Sequence, residues 1–364
     1  IVVGGGILGS LAAWRASARG LSVVLVEQHR PGHAAGSSHG ASRLLTRCLG
    51  RPAEARLAGV SLPRWRELEE LAGERLVHPT ATLHVSCQDL EEYRRNLEDT
   101  AVPHELLHHG LLERRFPEFQ VPKDASALYV TDGAVLAASR CLVAAWRLCE
   151  RRDVRLFVDS PVDFLDLEYD RPTAVGADTA YRGRSLLVAA GAWTGSLVPD
   201  LGIRVHRQQF HLYEPQESER FKLGEFPGFT LEHEGESLHG HPVFDGAGLR
   251  VWRRQEEAGV PGVCLPDPEE HRRVEDLLWR YLPRARGPSL SAYAAVSTAE
   301  FLLGHHPLRD DVVIVVGQHE HGFGLAPGMA EVAVDLASRV EPGIPVEGFA
   351  PGARPGPQGC GSPT

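Results

Sequence analysis

The stretch that decides the fold is IVVGGGILGSLAAWRASARGLSVVLVE, residues 1–27. Gly4, Gly6 and Gly9 stand at GxGxxG spacing between an apolar run and a helix-forming run. In dinucleotide-binding folds the first glycine permits a tight turn and the second lets the backbone approach a pyrophosphate. The third lets the helix pack on the strand. The stretch therefore predicts a strand, a glycine turn, a helix and a second strand.

Glu27 ends the second strand, where an acid commonly holds the ribose hydroxyls of an adenine nucleotide. The predicted helix begins with Ile7 and Leu8, and its N-terminus offers free N–H groups and a positive dipole end to phosphates. A glycine-rich turn in an unrelated α/β unit is the alternative, but it leaves Glu27 unexplained. The pattern favours a nucleotide-binding site.

The composition limits the class of protein. With 364 residues the chain is long enough for two domains or one intertwined pair. The net charge of −10 argues against a nucleic-acid partner, and no apolar run is long enough to cross a membrane. The cysteines form no CxxC pair, which favours reduced thiols in a cytoplasmic protein over a disulfide framework or a metal site.

The segment Gly36-Ser37-Ser38-His39-Gly40-Ala41-Ser42-Arg43 is small, polar and basic, so it cannot form a core. By itself such a loop suits solvent and ligand equally well. Because it follows a nucleotide-binding start, we expect it to wrap a polar ligand, with Ser37, Ser38, His39 and Arg43 as the contacts.

These motifs together resemble the sarcosine oxidase and pipecolate oxidase family of FAD-dependent amino-acid oxidases. The similarity extends along most of the chain, through Ala190-Gly191-Ala192-Trp193-Thr194, Phe226-Pro227-Gly228-Phe229, His306-Pro307 and Gly317…His321-Gly322-Phe323. The resemblance implies FAD as cofactor, bound by the residues Gly4, Gly6, Ile7, Leu8, Gly9, Glu27, Gln28, Gly36, Ser37, Ser38, His39, Ser42, Arg43, Ala190, Gly191, Trp193, Gly322, Phe323 and Gly324.

The expected fold class is α/β, with a Rossmann-like FAD-binding domain interleaved with an antiparallel-sheet substrate domain. Hydrophobic periodicity predicts helices over 53–75, 88–96, 104–115, 134–151, 268–281 and 328–339. Strands are expected at 81–86, 154–158, 185–190, 207–213, 248–254 and 311–316, with a meander over 161–182. We assign 1–78, 134–200 and 301–349 to the FAD-binding domain, 79–133 and 201–300 to the substrate domain, and 350–364 to a disordered tail.

The resemblance implies hydride transfer from the carbon beside an amine to flavin, imine hydrolysis, and reoxidation by O2 to H2O2. The substrate would be a secondary amine or an imino or amino acid, and a carboxylate on it would need a fixed cation. Candidates by position are Arg43, Arg250, Arg253 and Arg254, with His39, His239, His319 and His321 tuning the charge near the flavin. Of these, Arg43, His239, Arg250 and Arg254 are the predicted catalytic residues.

Several positions depart from the resembled family. A Cys that carries the flavin covalently there is Ser291 here, which predicts non-covalent FAD, with a histidine linkage through His33 or His39 as the alternative. A Lys that helps oxygen react falls on Arg250. Where the resembled family has a Tyr and a His that face the substrate, this sequence has His239 and Arg254. Where the family has a second Lys this sequence has Gly324, and where it has a Gly this sequence has Glu320.

These departures indicate a rebuilt substrate pocket and leave the chemistry open. Arg250 and Arg254 would share a strand face with Trp252 and bind a substrate carboxylate, unless they are surface residues matched to Glu256 and Glu257. An oxidase is favoured over a biosynthetic flavin dehydrogenase with poor oxygen reactivity. A weakly active flavin-binding homologue is the third possibility.

Overall fold

The computed structural model describes residues 1–255, 258–299, 301–317, 320–344 and 348–351. His319, Glu256, Glu257 and the tail from residue 352, which figure in the predictions, lie outside them. The α-helices are α1 Ile7–Ala18, α2 Pro52–Ala72, α3 Glu91–Asp99, α4 His109–Arg115, α5 Ala138–Glu150, α6 Thr194–Leu197, α7 Pro268–Tyr281 and α8 Gly322–Ala337.

The strands lie between these helices, some singly and some in runs. They are β1 Val2–Val3, β2 Val24–Val26, β3 Arg43–Leu45, β4 Val77–Ser86, β5 His104–His108, β6 Ser126–Leu136, β7 Arg155–Phe157, β8 Phe164–Asp166, β9 Thr173–Val175, β10 Ala180–Arg182, β11 Leu186–Val188, β12 Val205–Tyr213, β13 Gly228–His233, β14 Glu236–His241, β15 Leu249–Arg253, β16 Ser289–Thr298, β17 Leu302–His306 and β18 Arg309–Val316.

The first sheet has the order β17-β18-β11-β1-β2-β7 and is parallel except for β17. The central strands β1, β2 and β11 are unbroken apolar runs, and β18 ends in one, because both faces of the sheet are covered there. Along β18, Val313 and Val315 join the core beneath α1, α2, α5 and α8. Val312 and Ile314 point the other way, toward a core shared with the small antiparallel sheet β8–β10. This is the expected nucleotide-binding sheet, with the expected meander on its far side.

The second sheet has nine strands in the order β16-β12-β15-β14-β13-β4-β6-β3, and β5 pairs with β6. Its pairs are antiparallel apart from β4 and β13. One face packs on α7, where Leu249 and Val251 of β15 lie in one core with Leu278 of the helix. The other face carries Phe210 and Trp252. The predicted α/β fold class with an antiparallel second sheet is confirmed.

Two helix predictions were wrong because strand pairing overrides local propensity. The predicted helix 104–115 is a helix only from His109, since residues 104–108 add to the edge of β6 as β5. The predicted helix 134–151 begins at Ala138, since residues 134–136 complete β6 beside β3 and β4.

The last helix begins six residues earlier than the predicted 328–339, at Gly322, and runs through Pro327. Ser61 of α2 makes this possible, because its hydroxyl accepts from the Gly328 N–H at 3.0 Å and donates to the Leu325 carbonyl at 3.1 Å. A helix interior rarely tolerates proline without such help. The domain boundaries stay a prediction, and β3 at residues 43–45 belongs to the second sheet although it lies within 1–78. Among the described residues, no helix is long and apolar enough to span a membrane.

Candidate functional site

The glycine turn after β1 is closed by contacts that leave no room for side chains. Gly4 has φ +101°, and a Cβ there would stand 2.4 Å from the Ala189 carbonyl oxygen. A Cβ at Gly9 would stand 1.8 Å from the Gly4 carbonyl oxygen. The helix α1 therefore lies directly on the turn, with Gly6, Ile7 and Leu8 at the wall of a cleft. Its dipole favours negative charge at that end.

Glu27 fixes the turn from the end of β2. Its Oε2 accepts from the Gly5 N–H at 2.6 Å, and its Oε1 accepts from the His29 N–H at 2.8 Å. The His33 Nε2 lies 3.6 Å from Oε1. The carboxylate is 6 % exposed and borders the cleft, so it can still accept from a ligand there.

The loop 36–43 folds back onto α1. The Ser38 hydroxyl accepts from the Ile7 N–H at 3.0 Å. Arg43 holds the loop from inside, since its guanidinium donates to the carbonyls of Ser37 at 2.7 Å and Ser42 at 2.8 Å, and also to that of His39. Its charge lies over the rings of Phe210 and Phe323. Arg43 is therefore a buried arginine at the junction of the loop and the second sheet.

The cleft opens at the carboxyl ends of β1, β2, β11 and β18, where doubly wound sheets bind ligands. It encloses about 1380 Å³ including its open mouth. Of the predicted cofactor residues, those at its wall are Gly4, Gly6, Ile7, Leu8, Glu27, Gln28, Gly36, Ser37, Ser38, Arg43, Ala190, Gly191, Trp193, Gly322 and Phe323.

Four predicted contacts lie behind that wall. Gly9 packs on the turn, and His39 bonds the Gly36 carbonyl through Nδ1 at 2.6 Å. The Ser42 hydroxyl bonds His241 at 2.9 Å. The Gly324 carbonyl accepts from the Trp65 indole at 2.8 Å. These residues shape the cleft from behind without forming its wall.

The cleft fits FAD in shape and in donor set. It runs from Glu27 past the glycine turn to Phe323, with the N-terminus of α1 along its length. Next to the wall residue Arg43, Tyr293 and Arg250 leave a buried hydroxyl and two guanidinium nitrogens without hydrogen-bond partners among the described residues. Buried polar groups without partners are the groups that a bound polar ligand would satisfy.

An aromatic layer on the second sheet surrounds Arg250, which is 1 % exposed. Its guanidinium lies 4.1 Å from the Phe210 ring centroid, 5.4 Å from that of Tyr293 and 5.5 Å from that of Trp252. One nitrogen donates to the Ser42 carbonyl, which Arg43 also uses. Burial lowers the pKa of Arg250 to about 9, so the group is a cation at neutral pH. Arg250 is thus not a surface residue.

Arg254 follows β15 and makes a two-pronged ion pair with Glu320, with distances of 2.6 and 2.8 Å. The bond to Glu320 raises the pKa of Arg254 above its usual value. His239 lies 3.5 Å from Glu320, stacks on Trp252, and bonds Ser237 at 2.7 Å and Thr230 at 3.1 Å. Burial lowers the pKa of His239 to about 3, so the ring is neutral.

The expectation that a substrate carboxylate would neutralise both Arg250 and Arg254 needs correction for Arg254, because Glu320 already does so. Arg253 points to the opposite face and pairs with Glu270 at 2.7 Å. His321 lies 4.0 Å from the Glu320 carboxylate.

Sequence reasoning missed several residues of the site. The Trp146 indole of α5 holds the glycine turn from behind, since it donates to the Gly5 carbonyl at 2.9 Å, although its periodicity marked it only as core. Ser160, Asp163 and Thr298 border the cleft itself. They come from separate segments and carry no motif, so no local signal was available to find them.

The comparisons with known proteins agree with this geometry. The sequence matches the DAO family, described as FAD dependent oxidoreductase, over residues 1–336. It is 27% identical over 361 residues to a monomeric sarcosine oxidase from Bacillus sp. (strain B-0618), covering 93% of this chain and 91% of that protein. It is 26% identical over 367 residues to an N-methyl-L-tryptophan oxidase from Citrobacter koseri, covering 96% and 97%.

Solved structures share the fold, among them the following two. The open form of NikD, an unusual amino acid oxidase, matches with a TM-score of 0.79 at 21% identity and covers 96% of both chains. The L-proline dehydrogenase from P. horikoshii matches with a TM-score of 0.81 at 19% identity and covers 96% of both. Since the family match extends from the glycine turn through α8, this chain belongs to the DAO family and is an FAD-dependent oxidoreductase.

Proposed function

We propose that this enzyme oxidises the carbon–nitrogen bond of a secondary amine or amino acid that carries a carboxylate, and that O2 accepts the electrons and becomes H2O2. The observation that carries the proposal is the buried guanidinium of Arg250. Among the described residues no carboxylate lies within 4 Å of it. A buried cation without a counter-charge is costly unless a ligand supplies one.

FAD, when bound, supplies the two-electron acceptor for the C–N oxidation. The chain's own residues would do the rest. Glu27 and the N-terminus of α1 hold the two ends of the nucleotide portion, and Arg43 keeps the loop 36–43 closed over the cleft. Arg250 would bind the substrate carboxylate with the nitrogens that have no partner, and the neighbouring rings would exclude water.

The relatives act on comparable molecules, as their names state: sarcosine and N-methyl-L-tryptophan are both N-methyl amino acids. This supports a small amine with a carboxylate as the substrate class.

The test combines flavin reduction and oxygen consumption on the FAD-loaded enzyme. N-methyl amino acids added without oxygen should bleach the flavin, and air should restore its colour with one H2O2 per substrate. Arg250→Ala should raise KM or abolish turnover with FAD still bound, because the substrate carboxylate loses a charge-assisted partner worth about 1.5–3 kcal/mol. Arg253→Ala, on the opposite face of the strand, is the matched control. A fully active Arg250→Ala enzyme would contradict the assignment.

A flavin dehydrogenase acting on the same substrates is the second candidate. Arg250 favours it, since a guanidinium bonded to the Ser42 carbonyl stands where the resembled family has the Lys that helps oxygen react. Bleaching by substrate without recovery in air, and recovery with an artificial electron acceptor, would identify this activity.

A further inference from the structure

The ion pair between Arg254 and Glu320 joins two parts of the chain that are distant in sequence. Arg254 follows β15 of the second sheet, and Glu320 lies two residues before α8, whose first residues Gly322 and Phe323 border the FAD cleft. The Glu320 side chain is 1 % exposed, whereas that of Arg254 is 44 % exposed. The pair therefore has a buried carboxylate and a guanidinium that solvent or a ligand can reach.

The charges on this face of the second sheet differ from one arginine to the next. Arg250 has no counter-carboxylate among the described residues, and Arg254 is neutralised by Glu320 through two hydrogen bonds. Arg43 is engaged with three backbone carbonyls at the cofactor loop. His239, between Trp252 and Glu320, is neutral. Beside the aromatic layer, and among the residues that the structure describes, the face thus offers one guanidinium without a counter-carboxylate, that of Arg250, to a substrate anion.

We propose that Glu320 is a specificity-determining residue that restricts the enzyme to substrates with one carboxylate, by neutralising the second guanidinium on this face of the second sheet. The inference rests on the proposed function for its substrate class. Without the Glu320 charge, Arg254 would become a second anion site, and the pocket would accept an amino acid with a second carboxylate. The Cα atoms of strand residues four apart lie about 13 Å apart, and two arginine side chains at that spacing can both reach a five-carbon dicarboxylate.

The first experiment measures binding without turnover. Glutarate and its neutral isostere glutaramate are titrated calorimetrically into the FAD-loaded enzyme. Wild type should bind the two within about threefold of each other, because only Arg250 attracts charge. Glu320→Gln keeps the side-chain volume and a hydrogen-bond acceptor for Arg254 but removes the negative charge. It should favour glutarate over glutaramate by tenfold or more.

The chain offers a matched control on the other face of the same strand. Arg253 and Glu270 form a similar two-pronged pair, at 2.7 and 3.2 Å, against α7. Glu270→Gln should leave the glutarate preference at the wild-type value. The double change Glu320→Gln with Arg254→Gln should return the preference to the wild-type value, because the Arg254 guanidinium that had lost its Glu320 partner is also removed. Glu320→Gly removes the same charge by a different change and serves if Glu320→Gln does not fold.

The second experiment compares kcat/KM for N-methylglutamate and N-methylglutamine, which differ by one charge. The ratio should shift toward N-methylglutamate by tenfold or more in Glu320→Gln. The role of Glu320 is refuted if wild type reduces its flavin with amines but the variant stays within threefold of wild type in two quantities. These are the preference for binding glutarate over glutaramate and the kcat/KM ratio of N-methylglutamate to N-methylglutamine. If no amine reduces the flavin, the proposed function fails, and the glutarate titration decides on Glu320 independently.

Discussion

Glu27 performs two structural tasks with one carboxylate and has capacity for a third. Its two oxygens accept from the N–H groups of Gly5 and His29, which fixes both the glycine turn and the start of the next loop. An ionised carboxylate offers about four lone-pair positions, so it can also accept from ribose hydroxyls. This explains in physical terms why an acid at the end of β2 was a useful sequence signal.

Glu27→Ala should weaken FAD binding by about 10- to 100-fold, since a charge-assisted hydrogen-bonding group is worth about 1.5–3 kcal/mol. The measurement is the dissociation constant of FAD from the reconstituted apoenzyme. Glu150→Ala, which removes an exposed carboxylate at the end of α5, should leave that constant unchanged. Equal FAD affinity in both variants would contradict the role of Glu27.

FAD should be held without a covalent bond. Ser291 lies on β16 and is exposed, and a serine hydroxyl needs a dedicated base to attack carbon. Burial raises the pKa of the Cys48, Cys141 and Cys149 thiols, and none of the described cysteines borders the cleft. After acid precipitation the yellow colour should stay in the supernatant. Colour in the pellet would contradict this, and His33, at the cleft wall, would be the first residue to test.

Glu54 should make the stability of the enzyme depend on pH. Burial raises its pKa from 4.5 to about 7, and one of its oxygens has no hydrogen-bond partner among the described residues. Between pH 4.5 and about pH 7 the Glu54 carboxyl group therefore keeps its proton in the folded state but has lost it in the unfolded state. Its stabilising contribution is complete below pH 4.5 and is lost as the pH rises to about 7, at about 1.4 kcal/mol per pKa unit.

Glu54→Gln should remove this loss. The Tm of the variant minus the Tm of wild type should increase from pH 5 to pH 8, because the amide cannot ionise. Thermal unfolding at several pH values measures the difference. Parallel pH profiles for the two proteins would show that Glu54 ionises in the folded state as it does in water.

At the scale of elements, α1 can pack directly on the turn after β1 because the contact positions are glycines without side chains. A Cβ on Gly9 would overlap the Gly4 carbonyl, and one on Gly5 would stand 2.4 Å from the Trp146 ring of α5. The helix α1 also lies against α8, so the two helices whose N-termini border the cleft are fixed to each other. The close packing of α1 on the turn after β1, and of α8 on α1, therefore sets the position of the cleft between them and the sheet.

Gly9→Ala should destabilise the protein by about 1–3 kcal/mol or more and lower FAD occupancy, because the added methyl group must displace α1 from the turn. Gly110→Ala in α4 is the matched control. Its nearest neighbouring atom would lie 3.9 Å away, and alanine favours the helix. Urea denaturation of both variants compares the free energies of unfolding, and an unperturbed Gly9→Ala protein would refute the close packing.

At the scale of the whole molecule, the cleft gathers segments that lie far apart in the chain. Its wall includes residues near 4, 37, 163, 190, 298 and 322. The second sheet reaches it through Arg43 and the loop 36–43, and the pair Arg254–Glu320 ties that sheet to α8. A ligand that contacts all these segments links the two sheets.

FAD should therefore stabilise the entire fold. At a free concentration 100 times its dissociation constant it should add about 2.7 kcal/mol to the free energy of unfolding. Differential scanning calorimetry of the apoenzyme with and without FAD should show the higher Tm with FAD. NAD at the same concentration should produce no shift, since the chain belongs to an FAD-dependent family. An equal Tm with and without FAD would contradict the prediction.

The sequence by itself determined the nucleotide-binding sheet and the cofactor, because these depend on local requirements. A glycine is needed where no Cβ fits, and an unbroken apolar run is needed where a strand is buried on both faces. Most of the predicted cofactor residues, from Gly4 to Phe323, border one cleft for this reason. The cofactor, FAD, followed from the family that these motifs identify.

Only the tertiary structure decided which charges meet. The sequence showed Arg250 and Arg254 as equivalent candidates, but Glu320, sixty-six residues after Arg254, neutralises one and not the other. In the same way β5 and the end of β6 became strands through partners that local propensity cannot reveal. Pairing of charges and of strands depends on distances between segments remote in sequence, and folding alone sets those distances.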